Sequence, residues 1–218
     1  MVSRPALVDV GAGSLEPGVA WLRRQGGVAD GASRARAMAA GPTGGVLLVG
    51  DFSGQLSLGR EVRNARGSSD MFVARYNQRG ELQWTKMMGG AGEESATAVA
   101  TDSAGNGFVA GWFFDKAEFG PYTLSRPGRY AAFVAKLDST GRWQWARALT
   151  DEGESMASGL VVLSDGGMAV SGAFRDTLRT GAVALASRGA ADAFVMRLSQ
   201  SGMVRWVRGM GGSGEDMA

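Results

Sequence analysis

A pattern of about 61 residues occurs three times in this chain, and it limits the possible folds more than any other feature. The stretch FVARYNQRGELQWTKMMGGAGEE at 72–94 recurs as FVAKLDSTGRWQWARALTDEGES at 133–155 and as FVMRLSQSGMVRWVRGMGGSGED at 194–216. Further columns with the same interval begin at Gly50 and Phe52. Several aligned columns at one period indicate internal duplication of a structural unit.

Each unit is predicted to form four short antiparallel strands. In the middle copy these are SATAVATD at 95–102, GFVAGWF at 107–113, AAFVAKLD at 131–138 and WQWARAL at 143–149. Turn sequences such as DSAGNG separate them, and an irregular segment is expected between the second and third strands. Repeated four-stranded units are typical of β-propeller blades, whereas helical repeats need an apolar spacing of about 3.6 residues that is missing here.

The composition agrees with an all-β chain that has many tight turns. There are 35 glycines and 5 prolines without a collagen period, and 44% of the residues are hydrophobic, which argues against disorder. The net charge of +2 does not indicate nucleic-acid binding. No apolar run is long enough to predict a membrane span or a signal peptide.

Histidine and cysteine are both absent, and this narrows the possible chemistry. The chain therefore has no disulfide framework, no thiolate nucleophile and no histidine general base. GDFSGQ resembles a nucleophile elbow only loosely and has no histidine partner. Paired carboxylates such as Glu93 and Glu94 can act as general acid and base, as in glycosidases, but nothing in the sequence fixes the distance between them. We expect a protein that is not an enzyme.

The units resemble the bacterial β-propeller repeat known as the SBBP repeat. The stretches that carry the resemblance are ATAVATDSAGNGFVAG, DMFVARYNQRG, ELQWTKMMGG and GGSGEDMA. The third unit departs from the pattern in LVVLSDGGMAVSG, and TD replaces the glycine doublet in the second unit. Kelch repeats and the regulator-of-chromosome-condensation repeat match less well. The resemblance implies an all-β propeller, often of exported or cell-surface proteins, and no common reaction.

Three complete blades are predicted, and they occupy residues 28–90, 91–151 and 152–212. Residues 1–27 are predicted to supply the third and fourth strands of a preceding or closing blade, and residues 213–218 to start a further blade. Propellers close with about 4 to 8 blades. We therefore expect a piece of a longer propeller or a homo-oligomer that closes between chains.

An acidic residue follows each tryptophan of the repeat by nine residues. Because the linkers between blades reach one face of a propeller, these acids are expected to lie on a single face. They could bind a hard cation such as Ca²⁺ or a basic partner, although backbone capping explains such acids more simply, and no calcium-loop motif is present. No cofactor or metal is expected. The acidic column consists of Asp30, Glu93, Glu154 and Glu215.

A basic residue follows each tryptophan of the repeat column by two positions, so that both side chains lie on one face of the strand. Indole rings and cations suit sugars and cation–π contacts, whereas packing between blades, with the basic stem over the ring, is the simpler interpretation. The pairs in the complete repeats are Trp84 with Lys86, Trp145 with Arg147, and Trp206 with Arg208.

These observations predict a non-catalytic binding or scaffold module that recognises a protein or a carbohydrate through inter-strand loops on one face. One alternative is a metal-assisted lyase or glycoside hydrolase that uses carboxylates on the propeller axis. Another is a lectin-like protein with one sugar site per blade. Nucleic acid and a membrane span are not expected, and the family resemblance favours an extracellular or cell-surface location.

Overall fold

A computed structural model describes residues 26–27 and 31–216, and this part of the chain consists of sixteen β-strands and no helix. The strands form three large antiparallel sheets, one for each repeat, and one small sheet. The predicted all-β, propeller-like fold built from four-stranded units is therefore confirmed. None of the described residues lies in a helix that could cross a membrane.

The first sheet contains the first described repeat. Its strands follow one another in chain order and are β2 (Ser33–Ala40), β3 (Val46–Phe52), β6 (Asp70–Tyr76) and β7 (Leu82–Met88). Between β3 and β6 the chain forms the hairpin of β4 (Gln55–Leu58) and β5 (Glu61–Asn64), and β4 also pairs with β1 (Gly26–Gly27) to complete the small sheet.

The second and third sheets repeat this order of strands. The second contains β8 (Glu94–Thr101), β9 (Gly107–Phe119), β10 (Tyr122–Leu137) and β11 (Trp143–Ala148). The third contains β12 (Glu152–Val162), β13 (Met168–Thr180), β15 (Asp192–Leu198) and β16 (Val204–Met210), and β14 (Val183–Ala186) pairs with β13.

The prediction of an irregular segment between the second and third strands of the middle repeat was wrong. Strands β9 and β10 continue through it as a hairpin that pairs Phe119 with Tyr122, with a register shift between Arg126 and Tyr130. The hairpin forms because Phe119 is buried against Phe133, with the two ring centroids 4.9 Å apart. The apolar positions of this segment therefore extend the sheet.

The same β-bulge occurs in the first strand of every large sheet. The register shifts lie between Ala35 and Ala37, between Ala96 and Ala98, and between Ala157 and Gly159. A bulge bends its strand and increases the local twist. The repetition of this irregularity shows that the sequence period corresponds to a structural unit.

The sheets pack face to face, and the second sheet is covered on both faces. Phe133 belongs to a core that includes Leu47 and Val73 of the first sheet, whereas its neighbour Val134 belongs to a core that includes Val170 of the third sheet. Adjacent residues of a strand point to opposite faces, so one strand serves both cores. This arrangement is that of adjacent propeller blades.

The partial blade predicted at 1–27 lies outside the described residues except for Gly26 and Gly27, and of the segment predicted at 213–218 the structure describes residues 213–216, so both stay predictions. The division of the chain at residues 90, 151 and 212 stays a prediction, although each large sheet lies within one of the predicted units.

Replacing Phe133 by alanine is expected to lower the free energy of unfolding by about 3–5 kcal/mol, because the ring is 0% exposed and its removal leaves a cavity between two sheets. Urea denaturation of the purified chain measures this loss. The matched control is Val161→Ala on β12, where the side chain is 51% exposed and the expected change is within about 0.5 kcal/mol. Equal losses for the two variants would contradict the assigned core.

Candidate functional site

Two members of the acidic column occupy equivalent positions where the chain crosses from one sheet to the next. Glu93 forms an isolated parallel bridge with Ser69, and Glu215 forms the corresponding bridge with Ala191. Glu154 lies within β12. The remaining member, Asp30, lies outside the described residues.

A tyrosine links the acids of the first two crossings. The hydroxyl of Tyr130 donates a hydrogen bond to Oε2 of Glu93 over 3.1 Å. The pKa of Tyr130 is raised by burial, then by this hydrogen bond, and further by the charges of Glu93 and Glu154. Both carboxylates therefore lie close enough to act on the same phenol.

An arginine links the acids of the last two positions. Arg175 on β13 is the cross-strand partner of Glu154, and its Nη2 lies 2.9 Å from Oε1 of Glu215. The three described acids thus lie along one edge of the sheets, where Tyr130 contacts Glu93 and Arg175 contacts Glu215. Neither connecting residue recurs at the 61-residue interval, and for this reason the repeat analysis missed both.

These three acids are not arranged as a metal site. Among the residues that the structure describes, no group of three or more acidic side chains could hold a metal ion. Glu93 accepts a hydrogen bond from the Tyr130 hydroxyl, and Glu215 forms an ion pair with Arg175. The binding role of the acidic column stays a prediction.

A cavity of about 200 Å³ lies beside Glu93, between the first and second sheets. Its walls include Arg34 and Arg36 of β2, Asp51 of β3, and Trp112 of β9. Serine side chains supply further polar groups to its lining. The cavity therefore presents charges of both signs, hydroxyl groups and one indole ring within a small volume.

The charges inside this cavity are only partly satisfied. Asp51 forms an ion pair with Nε of Arg36 and accepts a hydrogen bond from Ser95 Oγ over 2.8 Å. Arg34 makes no ion pair and no side-chain hydrogen bond with the described residues. The half-buried Trp112 meets Tyr130 edge to face, with ring centroids 5.5 Å apart. The Arg34 guanidinium, which has no side-chain partner among the described residues, and a fixed indole thus both face the cavity.

The tryptophan column lies elsewhere, on the outer strand of each large sheet. In the first sheet, Nε1 of Trp84 donates to the carbonyl of Ser139 over 3.0 Å, and a Cβ added to Gly141 would lie 2.9 Å from the Trp84 ring and 3.1 Å from Cε of Lys86. Both side chains therefore contact the β10–β11 turn of the second sheet.

The second sheet makes the same contact with the third. Nε of Arg147 donates to the carbonyl of Ser201 over 3.0 Å, and the ring of Trp145 lies against Gly202. Trp206 is 42% exposed, and Arg208 beside it is also exposed. The first two pairs thus touch the neighbouring sheet, whereas a role of the column in ligand binding stays a prediction.

Comparison with known proteins gives one similarity to a repeat protein. No protein-family model matches this chain. Over 115 residues, or 50% of this chain, it is 26% identical to an uncharacterized WD repeat-containing protein of Acanthamoeba polyphaga mimivirus. The match covers about 8% of the length of that protein. WD repeats form propeller blades, so this similarity agrees with the repeated four-stranded sheets.

The contact between Trp84 and the next sheet can be tested at Gly141. Replacing Gly141 by alanine is expected to cost about 1–2 kcal/mol for the positive φ of 82° and about 1–3 kcal/mol more for the contact with the indole ring. The control is Gly128→Ala, which has a similar φ of 66° but nothing within 4 Å of the added Cβ. Urea denaturation that gives equal losses would contradict a tight packing role for Trp84.

Proposed function

We propose that this chain is a non-catalytic, propeller-like scaffold that recognises a protein partner at the edge formed by the acidic column and the adjacent cavity. The observation that supports the proposal is the cavity itself, which the Arg34 guanidinium and Trp112 line together with Glu93. Arginine and tryptophan are the residue types that most often dominate the energy of protein interfaces. Rigid sheets hold them in fixed positions at a loop-rich edge.

Several features favour one protein partner over a sugar bound at each repeat. The positions equivalent to Arg34 and Trp112 in the other repeats carry neither a cation nor an indole, so the cavity is not repeated. These positions are Ser95 and Met156 for the arginine, and Asp51 and Ala173 for the tryptophan. A lectin-like protein with one site per blade requires a repeated site. The WD repeat relative also agrees with an interaction scaffold, a common use of propellers.

The finer assignment to the SBBP type rests on the resemblance of the repeat, from ATAVATD to the glycine doublets. We extend the proposal to an extracellular or cell-surface location and to assembly with further blades, from the rest of a longer chain or from a second copy. The exposed Trp206, whose counterparts Trp84 and Trp145 each contact a neighbouring sheet, supports such assembly.

The variants Arg34→Glu and Trp112→Ala test the proposed surface. Proteins captured by the immobilised wild-type chain are identified by mass spectrometry, and the affinity of a purified partner is then measured by calorimetry. Each variant is expected to weaken binding by about tenfold or more, equivalent to about 1.4 kcal/mol, because it removes a contact at the centre of the interface.

The control variant is Arg79→Glu, which makes the same charge change in the β6–β7 turn at the opposite edge of the first sheet. It is expected to leave the affinity within about twofold of wild type, since only long-range electrostatics change. Equal losses for Arg34→Glu and Arg79→Glu would contradict the location of the surface. Displacement of the partner by a free glycan would favour the carbohydrate alternative.

A further inference from the structure

Two carboxylates are buried together where the first sheet joins the second. Asp70 begins β6 and Glu94 begins β8, and both are 0% exposed. They approach the same point beside Gly89, because a Cβ added there would lie 2.5 Å from Cγ of Asp70 and 2.7 Å from Oε2 of Glu94. The glycine therefore leaves the space that the two carboxyl groups fill.

Each carboxyl group is only half satisfied by the surrounding protein. Oδ1 of Asp70 accepts a hydrogen bond from the backbone N–H of Arg66 over 3.0 Å, and Oε2 of Glu94 accepts one from Gly90 over 2.9 Å. The other oxygens, Oδ2 of Asp70 and Oε1 of Glu94, are buried and have no hydrogen-bond partner. Leaving two charged acceptors in this condition is costly.

The nearby cations do not neutralise the pair fully. Nε of Arg66 forms a long ion pair with Oδ2 of Asp70 at 3.8 Å, too far for a hydrogen bond. Its Nη1 lies 2.7 Å from Glu118, and its Nη2 donates to the carbonyl of Gly89. Lys116 is also paired with Glu118. The remaining charges that act on the pair are those of Arg63, whose Nη1 donates to the carbonyl of Met87, and of Glu93.

The middle repeat shows how the same junction is built without charge. Ala131, Thr150 and Ser155 stand where the first repeat has Asp70, Gly89 and Glu94. The hydroxyl oxygens of Thr150 and Ser155 lie 2.9 Å apart, and Ser155 also accepts the backbone N–H of Ala132 over 3.0 Å. This neutral junction is fully hydrogen-bonded.

The third repeat returns to the first arrangement. Its residues at these positions are Asp192, Gly211 and Asp216. A Cβ on Gly211 would lie 2.4 Å from Cγ of Asp192, and the N–H of Gly212 donates to Asp216 over 2.8 Å, as Gly90 does to Glu94. The two acids and the glycine therefore change together from one repeat to the next.

We propose that Asp70 and Glu94 hold one proton between them, and that loss of this proton weakens the junction between the first and second sheets. A proton on one carboxyl group turns a buried acceptor into a donor and removes one of the two negative charges. The pKa of Glu94 is raised to about 7, chiefly by burial and further by the charge of Asp70, against the hydrogen bond from Gly90. Burial also raises the pKa of Asp70.

The direction of the pH effect follows from the raised pKa of Glu94. A carboxyl group that binds its proton more tightly in the folded state stabilises that state below its unfolded pKa, and this stabilisation is lost as the pH rises through the folded pKa. For Glu94 the loss falls between about pH 4.5 and pH 7. The contribution of Glu94 to the junction is therefore greatest below about pH 4.5 and is lost by about pH 7.

The test compares the full chain with two variants by urea denaturation from pH 5 to pH 8. Glu94→Gln keeps the shape of the side chain without a titrating group, and the triple variant Asp70→Ala, Gly89→Thr, Glu94→Ser copies the middle junction. Relative to either variant, the unfolding constant of the wild-type chain is expected to rise by up to about tenfold per pH unit between pH 5 and pH 7. The control is Glu61→Gln, at an exposed position, and its free energy of unfolding is expected to depend on pH as that of the wild-type chain does.

The proposal would be overturned if the free energy of unfolding of both junction variants fell with rising pH as steeply as that of the wild-type chain. A requirement for Ca²⁺, measured with added CaCl₂ or EDTA, would also overturn it, because a cation would then neutralise the pair instead of a proton. If neither variant folds, ¹³C NMR of glutamate-labelled wild-type protein decides the question. A glutamate carboxyl resonance that titrates near pH 7 supports the shared proton, and titration of every glutamate at or below about pH 4.5 overturns it.

Discussion

The burial of the second sheet on both of its faces is the constraint on which the rest of this structure depends. A sheet placed between two others must present apolar side chains at consecutive positions, and the strand around Phe133 and Val134 does so. The two cores fix the spacing of the sheets. With this spacing fixed, the turn that contains Gly141 reaches Trp84, and the crossing segments bring Glu93 to Tyr130.

The repeat made much of this fold predictable from the sequence. Recurring phenylalanine, tryptophan and glycine positions predicted four strands per unit, because residues that pack between repeats must recur with the repeat. The extension of β9 and β10 was not predicted, since its apolar residues lie between Pro and Gly signals that favour a loop. Its stability comes from contact with Phe133, which is adjacent only after folding.

The site was less predictable for a physical reason. Arg34, Trp112, Tyr130 and Arg175 have no residue of the same type at the equivalent positions of the other two repeats. Tyr130 and Arg175 contact the acids of the crossing segments, and Arg34 and Trp112 line the cavity beside one of them. Comparison of the repeats finds residues that recur in every unit, whereas these four residues differ from one unit to the next. Common positions build the scaffold, and unique positions at its edge give each junction its own chemistry. The pairing of Asp70 with Glu94 was also missed, because 24 residues separate two acids that meet only across the junction.

The alternation of charged and neutral junctions has a consequence for how the stack comes apart. In a linear array each unit is held mainly by its neighbours, so the weakest junction decides which unit separates first. Thr150 and Ser155 join the second and third sheets through groups that do not titrate in the physiological range. If the proposed proton acts at the first junction and not at the second, the two junctions of the array differ in their dependence on pH. On the proposed shared proton, the contact between the first and second sheets is expected to weaken as the pH rises, whereas the contact between the second and third sheets is expected to stay the same.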